Sequence, residues 1–150
     1  MIRNPQALAT AVVEGMFAKD TLSQWLGIQV TEVTPGKATC TMTVRDEMLN
    51  GFGLCHGGVT FCLADSALAF ASNTNGQITV SVDNSISYPA PVHAGDRLTA
   101  RAEEESAGRR LAFYRVTVSR QDGTAVAHFR GTVYRTERRH EAAQGSGGGG

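Results

Sequence analysis

The stretch from Gly57 to Ser72, GGVTFCLADSALAFAS, decides how this chain folds. Apolar and polar residues do not alternate in it, and its alanines and leucines favour a helix. Nearly every side of that helix is apolar, which is typical of a buried helix. Asn73, Asn75 and Gly76 follow and predict its end. The sequence therefore predicts one long central helix around which the other elements pack.

Residues on both sides of this helix show the two-residue period of β-strands. Before the helix, two strands over residues 28–33 and 38–44 flank a Pro35-Gly36 turn. After it, Asp122-Gly123 is a strong hairpin signal, and consecutive hairpins imply antiparallel pairing. The strands of this second half are predicted near residues 77–88, 96–106, 110–120 and 124–135.

Two further helices are predicted ahead of the first strand. Asn4 is a suitable cap for the first, with Pro5 at its first position, and Asp20 caps a short second helix. Together the elements predict one α+β domain over residues 1–135, in which a curved antiparallel sheet of about six strands wraps the long helix. Residues 136–150 are polar and end in glycines, so we expect a flexible tail.

Composition limits the classes of partner that this protein can have. The chain has 150 residues, 41% of them hydrophobic, and a formal net charge of zero, which argues against general nucleic-acid binding. No apolar run approaches the ~20 residues that span a bilayer, and residues 1–10 lack the apolar core of a signal peptide. The three cysteines form no CxxC pair and are interpreted as reduced thiols. We expect a cytoplasmic protein without a membrane or nucleic-acid partner.

One acidic residue stands inside the predicted helix. Between Glu47 and Asp83 the only formally charged side chain is Asp65. A carboxylate is rarely buried without a partner, and burial raises its pKa. Asp65 is therefore either a structural residue, hydrogen-bonded to neighbouring backbone or to Ser66, or a general base or nucleophile in a dry pocket.

The start of the helix is a second candidate for chemistry, because the first N–H groups of a helix have no internal partners. The glycines of Asn50–Gly58 allow close approach, and the Gly57 N–H would suit a carbonyl oxygen that becomes negative during acyl transfer. Gly57 and Asp65 lie ~12 Å apart along one helix axis, so they cannot act on the same atom. Two antiparallel helices related by a two-fold axis would bring Asp65 of one copy to Gly57 of the other. We expect two equivalent sites in a homodimer.

His56 has several interpretations. A catalytic pair with Cys55 or Cys62 is disfavoured, because adjacent residues at a helix start point in different directions. His56 either orients the loop or a ligand carbonyl, or is purely structural. A metal site built from His56, Cys55 and Asp65 fails for the same spatial reason, so no metal is expected.

In their order and spacing these residues resemble a known family, the hotdog-fold acyl-CoA thioesterases of the phenylacetic acid degradation type. The resemblance covers roughly residues 20–135. It implies the hotdog fold, a dimer formed across a two-fold axis, and two such dimers in a tetramer. The segments that carry it are Asn50, His56-Gly57-Gly58, Leu63-Ala64-Asp65-Ser66 and Ser81-Val82-Asp83.

The resemblance also implies a role for each matched residue. Asp65 matches the catalytic carboxylate, which acts on water as a base or on the thioester as a nucleophile. The Gly57 N–H would polarise the thioester carbonyl. Asn50 and His56 would position substrate or water, and Ser81 would assist the water.

Coenzyme A is held, by the same resemblance, along two further segments of the chain. The first contains Tyr88 and Pro91. The second is the turn Gly108-Arg109-Arg110, whose arginines suit the nucleotide phosphates. Coenzyme A belongs to the substrate here, and no other cofactor is required.

The predicted function is hydrolysis of an aryl-acyl thioester, of the phenylacetyl-CoA or hydroxyphenylacetyl-CoA type, to the free acid and coenzyme A. The aryl preference is implied by the resemblance alone. An enoyl-CoA hydratase or dehydratase of the same fold is one alternative, although it needs an Asp and a His close together on the loop before the helix. The other is a non-catalytic acyl-CoA-binding module, in which Asp65 would have no role.

Overall fold

Three α-helices and six β-strands make up the part of the chain that the computed structural model describes, residues 4–144. Short 3-10 turns lie at Asp46–Met48 and Glu141–Ala143. In chain order the other elements are α1 (Pro5–Lys19), α2 (Thr21–Trp25), β1 (Gln29–Thr34), β2 (Lys37–Thr43), α3 (Gly57–Asn73), β3 (Gln77–Ser87), β4 (Arg97–Ala107), β5 (Leu111–Ser119) and β6 (Ala125–Arg139).

The predicted caps of the first two helices are confirmed. The Asn4 side chain accepts a hydrogen bond from the Ala7 N–H at 3.0 Å, and Pro5 begins α1. Asp20 accepts from the Ser23 N–H at 3.0 Å at the start of α2. Both contacts satisfy helix N–H groups that would otherwise have no acceptor.

All six strands form one antiparallel sheet in the order β1-β2-β4-β5-β6-β3. β3 pairs with β6 rather than with its neighbour in sequence, so it becomes an edge strand. α3 packs against the inner face of this sheet, most closely against β2, β4 and β5. The predicted α+β architecture is therefore confirmed.

α3 is buried on one side only, which differs from the prediction of a helix buried nearly all round. Leu63, Ala67 and Leu68 are fully buried against the sheet. The opposite side is only half-buried, because no element within residues 4–144 covers it completely. We call this side the open face; its half-buried residues are Phe61, Cys62, Asp65, Ser66 and Ala69.

An irregularity in β3 interrupts the simple alternation that its sequence predicts. Ser81 pairs with Val133 and Asp83 pairs with Thr132, so Val82 is an extra residue in the ladder. The inner face is reached by odd-numbered residues before this bulge and by even-numbered ones after it. Val82 is consequently 58% exposed.

The folded region extends beyond the predicted boundary at residue 135. β6 continues to Arg139, because its last residues pair with the start of β3. The following turn is closed by a 2.9 Å hydrogen bond from the His140 N–H to the Gly76 carbonyl, and Ala143 is buried. Residues 136–144, which were predicted to belong to the tail, are therefore part of the fold, and residues 145–150 lie outside the described residues. No helix within residues 4–144 is long and apolar enough to cross a membrane.

Candidate active site

His56 caps the start of α3. Its Nδ1 accepts a hydrogen bond from the Gly58 N–H at 3.0 Å, and the backbone N–H of His56 donates to the Met48 carbonyl at 2.8 Å. The ring therefore holds the first turn of the helix in place, and its role towards a ligand stays a prediction. The Gly57 N–H has no acceptor within residues 4–144, so this donor is available to a ligand.

Tyr88 covers the backbone of Gly57. Its hydroxyl donates to the Gly57 carbonyl at 2.8 Å, and burial raises the pKa of this phenol. A Cβ atom at position 57 would lie 3.1 Å from both Cζ and the hydroxyl oxygen of Tyr88. The close contact explains why glycine begins this helix.

Asn50 shapes the loop before α3. Its side-chain oxygen accepts from the Phe52 N–H at 2.9 Å and from the Leu54 N–H at 3.2 Å. The side-chain nitrogen of Asn50 makes no hydrogen bond to any residue in the described range. A single cleft of about 340 Å³ brings Asn50 together with Gly57 and two predicted coenzyme A residues. Its lining consists of Asn50, Leu54, Cys55, Gly57, Thr60, Tyr88, Pro89, Ala90, Pro91 and Val92.

Asp65 lies outside that cleft, on the open face of α3 about two turns from Gly57. Burial, and to a smaller extent the negative charge of Asp20, raises the pKa of its carboxyl group. Ser66 does not hydrogen-bond to Asp65. It contacts the Ser23 hydroxyl at 2.8 Å instead, and Ser23 in turn donates to Asp20. The structural interpretation gave Asp65 a partner in neighbouring backbone or in Ser66, and neither contact is observed within residues 4–144.

Asn84 is a site residue that the sequence analysis missed. Its Nδ2 donates to the Asp65 Oδ1 at 3.4 Å. Asn84 reaches the inner face only because of the bulge in β3, and no feature of the sequence indicates that bulge. Ser81 is an exposed residue of β3, opposite the buried Val133, and makes no side-chain hydrogen bond within residues 4–144.

The turn with the two arginines lies at the other end of α3. The Arg110 carbonyl accepts from the Arg135 N–H at 2.6 Å, and Arg135 pairs with Thr79 near the C-terminal end of the helix. Arg110 also forms a 2.6 Å ion pair with Glu137, whereas Arg109 is exposed. Gly108 closes the turn with a 2.8 Å hydrogen bond to the Leu111 carbonyl. Within one chain, therefore, these residues are not brought to the cleft at Gly57.

The cysteines are held as thiols. Burial raises the pKa of Cys55 and of Cys62, and raises that of Cys40 to about 12. Cys55 Sγ contacts the His56 carbonyl and the Thr60 hydroxyl rather than the His56 ring. The Cys55 thiol is therefore not paired with the His56 ring in this structure.

Comparison with known proteins identifies the class to which this fold and site belong. Residues 52–127 match the Thioesterase superfamily, and the chain belongs to that superfamily. The family and the hotdog fold predicted from the sequence are therefore confirmed.

Among its relatives is the acyl-coenzyme A thioesterase PaaI of Escherichia coli (strain K12), 39% identical over 120 residues, which are 80% of this chain and 86% of the relative. The solved structure of the E. coli PaaI protein from the phenylacetic acid degradation operon matches with a TM-score of 0.89 at 35% identity. It covers 91% of this chain and 99% of that one.

Two more distant proteins extend the comparison. Human acyl-coenzyme A thioesterase 13 is 33% identical over 127 residues, 82% of this chain and 91% of that protein. The smu.793 protein of Streptococcus mutans UA159, whose crystal structure is bound to acetyl CoA, matches with a TM-score of 0.73 at 29% identity. That match covers 75% of this chain and 91% of the other.

Proposed function

We propose that this thioesterase hydrolyses aryl-acyl thioesters of coenzyme A, of the phenylacetyl-CoA or hydroxyphenylacetyl-CoA type, in the cytoplasm. Relatives named acyl-coenzyme A thioesterases support the coenzyme A thioester, and the operon of the E. coli PaaI protein supports the aryl group. The observation that carries the proposal is the position of Asp65. Asp65 is a half-buried carboxyl group with a raised pKa on the open face of α3. The unpaired Gly57 N–H of the same helix is too far from Asp65 for both groups to contact one substrate molecule.

The open face suggests how the two groups meet. If α3 packs antiparallel against α3 of a second copy, Asp65 of one copy lies beside Gly57 of the other, and the two-fold axis passes near Phe61. The edge strand β3 lies beside the same face, since its Asn84 reaches Asp65, and its exposed side chains include Val80 and Val82. Apolar side chains on an unpaired edge favour association with another chain.

In the resulting site the thioester carbonyl oxygen would accept a hydrogen bond from the Gly57 N–H of one copy. As a base, Asp65 of the other copy would remove a proton from water as that water attacks the carbonyl carbon; the carbon–sulfur bond then breaks, and the coenzyme A thiolate takes up the proton. As a nucleophile, Asp65 would attack the carbonyl carbon itself, and the carbon–sulfur bond would break to leave an acyl anhydride on Asp65. Water would then cleave this anhydride, which releases the free acid, regenerates Asp65 and supplies the proton that the thiolate takes up. Asn50, with its free amide nitrogen, and Ser81 would position the water, and the His56 cap holds the loop in place.

Coenzyme A would extend along the cleft beneath Tyr88 and Pro91, which adjoins the free Gly57 N–H. Its phosphates would be bound at the β4–β5 turn of the other copy, whose α3 runs antiparallel, by the exposed Arg109 and by Arg110, which shares its charge with Glu137. Two dimers would associate into a tetramer through apolar side chains on the outer face of the sheet. Those exposed side chains are Leu111, Phe113 and Tyr134.

The direct test is thiol release from a panel of aryl-acyl and straight-chain acyl-CoA esters. Asp65→Asn should lower the rate by ~10²–10⁴-fold, the usual contribution of a general acid–base group. Glu14→Gln, which removes the charge of an exposed residue on α1, should leave the rate unchanged. Unchanged turnover in Asp65→Asn would refute the role of this carboxylate, and equal rates for all acyl groups would refute the aryl preference.

The shared site has a separate test. Gly57→Pro removes the N–H at the first residue of a helix, where the backbone accepts proline, although the new side chain also displaces Tyr88. Mixing inactive Asp65→Asn and Gly57→Pro subunits should restore part of the activity, because one hybrid site is intact. Cys62 is half-exposed and lies near the proposed two-fold axis, so a short bismaleimide should also cross-link the Cys62 residues of two copies. The Cys62→Ser variant should form no such cross-link. Mixed dimers that form and remain inactive would show that each site lies within one chain.

A further inference from the structure

Asn84 occupies a position that depends on two local features of the sheet. The first is the bulge at Val82, which reverses the faces of β3 and turns Asn84 towards α3. The second is the residue directly opposite on β6, Gly131. A Cβ atom there would lie 2.5 Å from Leu68 Cδ2 and 2.8 Å from Asn84 Oδ1. Glycine at position 131 thus leaves the space that the Asn84 side chain fills.

The environment of Asn84 makes it a poor choice for stability. Its Oδ1 is buried and has no hydrogen-bond partner within residues 4–144. A buried polar atom without a partner destabilises a fold, whereas an apolar side chain of the same shape would pack against Leu68. The one polar contact that the side chain does make is the hydrogen bond from Nδ2 to Asp65 Oδ1. A costly polar residue whose single contact is the candidate base indicates a functional role.

We propose that Asn84 is a positioning residue for Asp65, orienting its carboxylate towards the open face of α3 and stabilising it in the ionised form that accepts a proton. This inference rests on the function proposed above, in which Asp65 is the base or nucleophile. Asn84 does not reach the substrate in this arrangement, since its side chain lies between β6 and α3.

The other groups around Asp65 cannot perform this task. Asp20, at the start of α2, is negative and disfavours the carboxylate. Cys62, on α3 itself, is held as a thiol by burial and by the charge of Asp65. Asp83, beside Asn84 on β3, is exposed, and the inner faces of β4, β5 and β6 present apolar side chains to α3. The Asn84 amide is therefore the one donor to Asp65 within the described residues.

The experiment compares the full-length Asn84→Leu variant with the parent protein. Leucine keeps the approximate shape of asparagine but removes the donor. We expect kcat to fall roughly tenfold with an unchanged KM, the loss appropriate to one hydrogen bond to a charged group. The acidic limb of the kcat profile should move to higher pH, and the Asp65 carboxyl should titrate at higher pH in ¹³C NMR. The melting temperature should change little, because removal of the buried unpaired oxygen offsets the loss of the hydrogen bond to Asp65.

Three further variants separate positioning from a general effect on folding. Asn84→Asp keeps the shape but places a second carboxyl beside Asp65, so it should move the limb further in the same direction. Gly131→Ala should displace Asn84 and shift the limb in the parent protein, but not in the Asn84→Leu background. Ser85→Ala, the next residue on β3 and an exposed one, should change nothing.

The outcomes distinguish this inference from the function on which it rests. If Asp65→Asn is inactive while Asn84→Leu keeps the parent kcat, pH profile and carboxyl titration, the positioning role is refuted and the proposed base stands. If Asp65→Asn keeps full turnover, the proposed function is refuted. The ¹³C titration then shows independently whether Asn84 controls the ionisation of Asp65.

Discussion

A methyl group added at Gly57 would test how closely Tyr88 covers the start of α3. In Gly57→Ala the new Cβ atom would lie 3.1 Å from Cζ and from the hydroxyl oxygen of Tyr88. Carbon atoms in favourable contact are about 3.5–4.0 Å apart, so the ring must move by roughly half an ångström. That movement strains the 2.8 Å hydrogen bond from the hydroxyl to the Gly57 carbonyl.

The expected loss of stability follows from these two contacts. Overpacking costs ~1–3 kcal/mol, and the lower end applies because the Tyr88 ring is half-exposed and can yield. The weakened hydrogen bond adds up to ~1 kcal/mol. A net loss of about 1–2 kcal/mol corresponds to a melting temperature lower by ~3–6 °C in a chain of this length. Turnover should also fall, because the displaced ring narrows the cleft beside the Gly57 N–H.

Thermal denaturation and thiol release on the same preparations provide the assay. Gly15→Ala is the matched control, since nothing lies within 4 Å of its added Cβ inside α1, and it should stabilise the protein by ~0.5–1 kcal/mol. Adding Tyr88→Ala to Gly57→Ala should cost less than the sum of the two single changes. The contact would be refuted if Gly57→Ala melted at or above the parent temperature with unchanged turnover.

The other predictions concern three side chains of the candidate site. Asp65→Asn should melt at a higher temperature than the parent at pH 7, since a raised carboxyl pKa means that ionisation disfavours the folded state. This gain in melting temperature should vanish below about pH 4, where the Asp65 carboxyl of the parent is neutral in both the folded and the unfolded state. Melting curves of the two proteins at pH 7 and below pH 4 would check this sign. His56→Ala removes the cap on Gly58 and should cost ~1 kcal/mol in denaturant unfolding; an unchanged midpoint would contradict the cap. Arg109→Ala should raise the KM for acyl-CoA ~3–10-fold, yet leave the KM for acyl-pantetheine unchanged. Arg115→Ala, which removes an exposed arginine paired with Glu103, serves as its control.

Local patterns were enough to predict most of the elements. The helix predicted over residues 57–72 spans Gly57–Asn73, because alanine and leucine have high helix propensities. The hairpin at Asp122-Gly123 forms as expected, since those residues suit the turn. The end of the domain was placed too early, because the pairing of Arg139 with Gln77 joins residues that are far apart in sequence.

The candidate site was predicted unevenly for the same reason. Asp65 could be identified because an isolated acid in an apolar helix is chemically conspicuous, and Gly57 because helix starts carry free N–H groups. Tyr88 entered through the family resemblance, and its contact with Gly57 appears only in the fold. Asn84 escaped notice because β3 reads as a regular alternating strand, and one extra residue in the ladder places it on the other face.

The amino-acid sequence alone was thus enough to predict the central helix with its single acidic residue and the six strands, and to show the resemblance to thioesterases. These are consequences of residue type and spacing over a few turns or strand repeats. Only the tertiary structure decided that β3 lies at the edge beside β6, that α3 keeps an open face, and that Asn84 donates to Asp65. Such contacts depend on which distant segments pair and in what register, and that choice is made by the packing of the whole core.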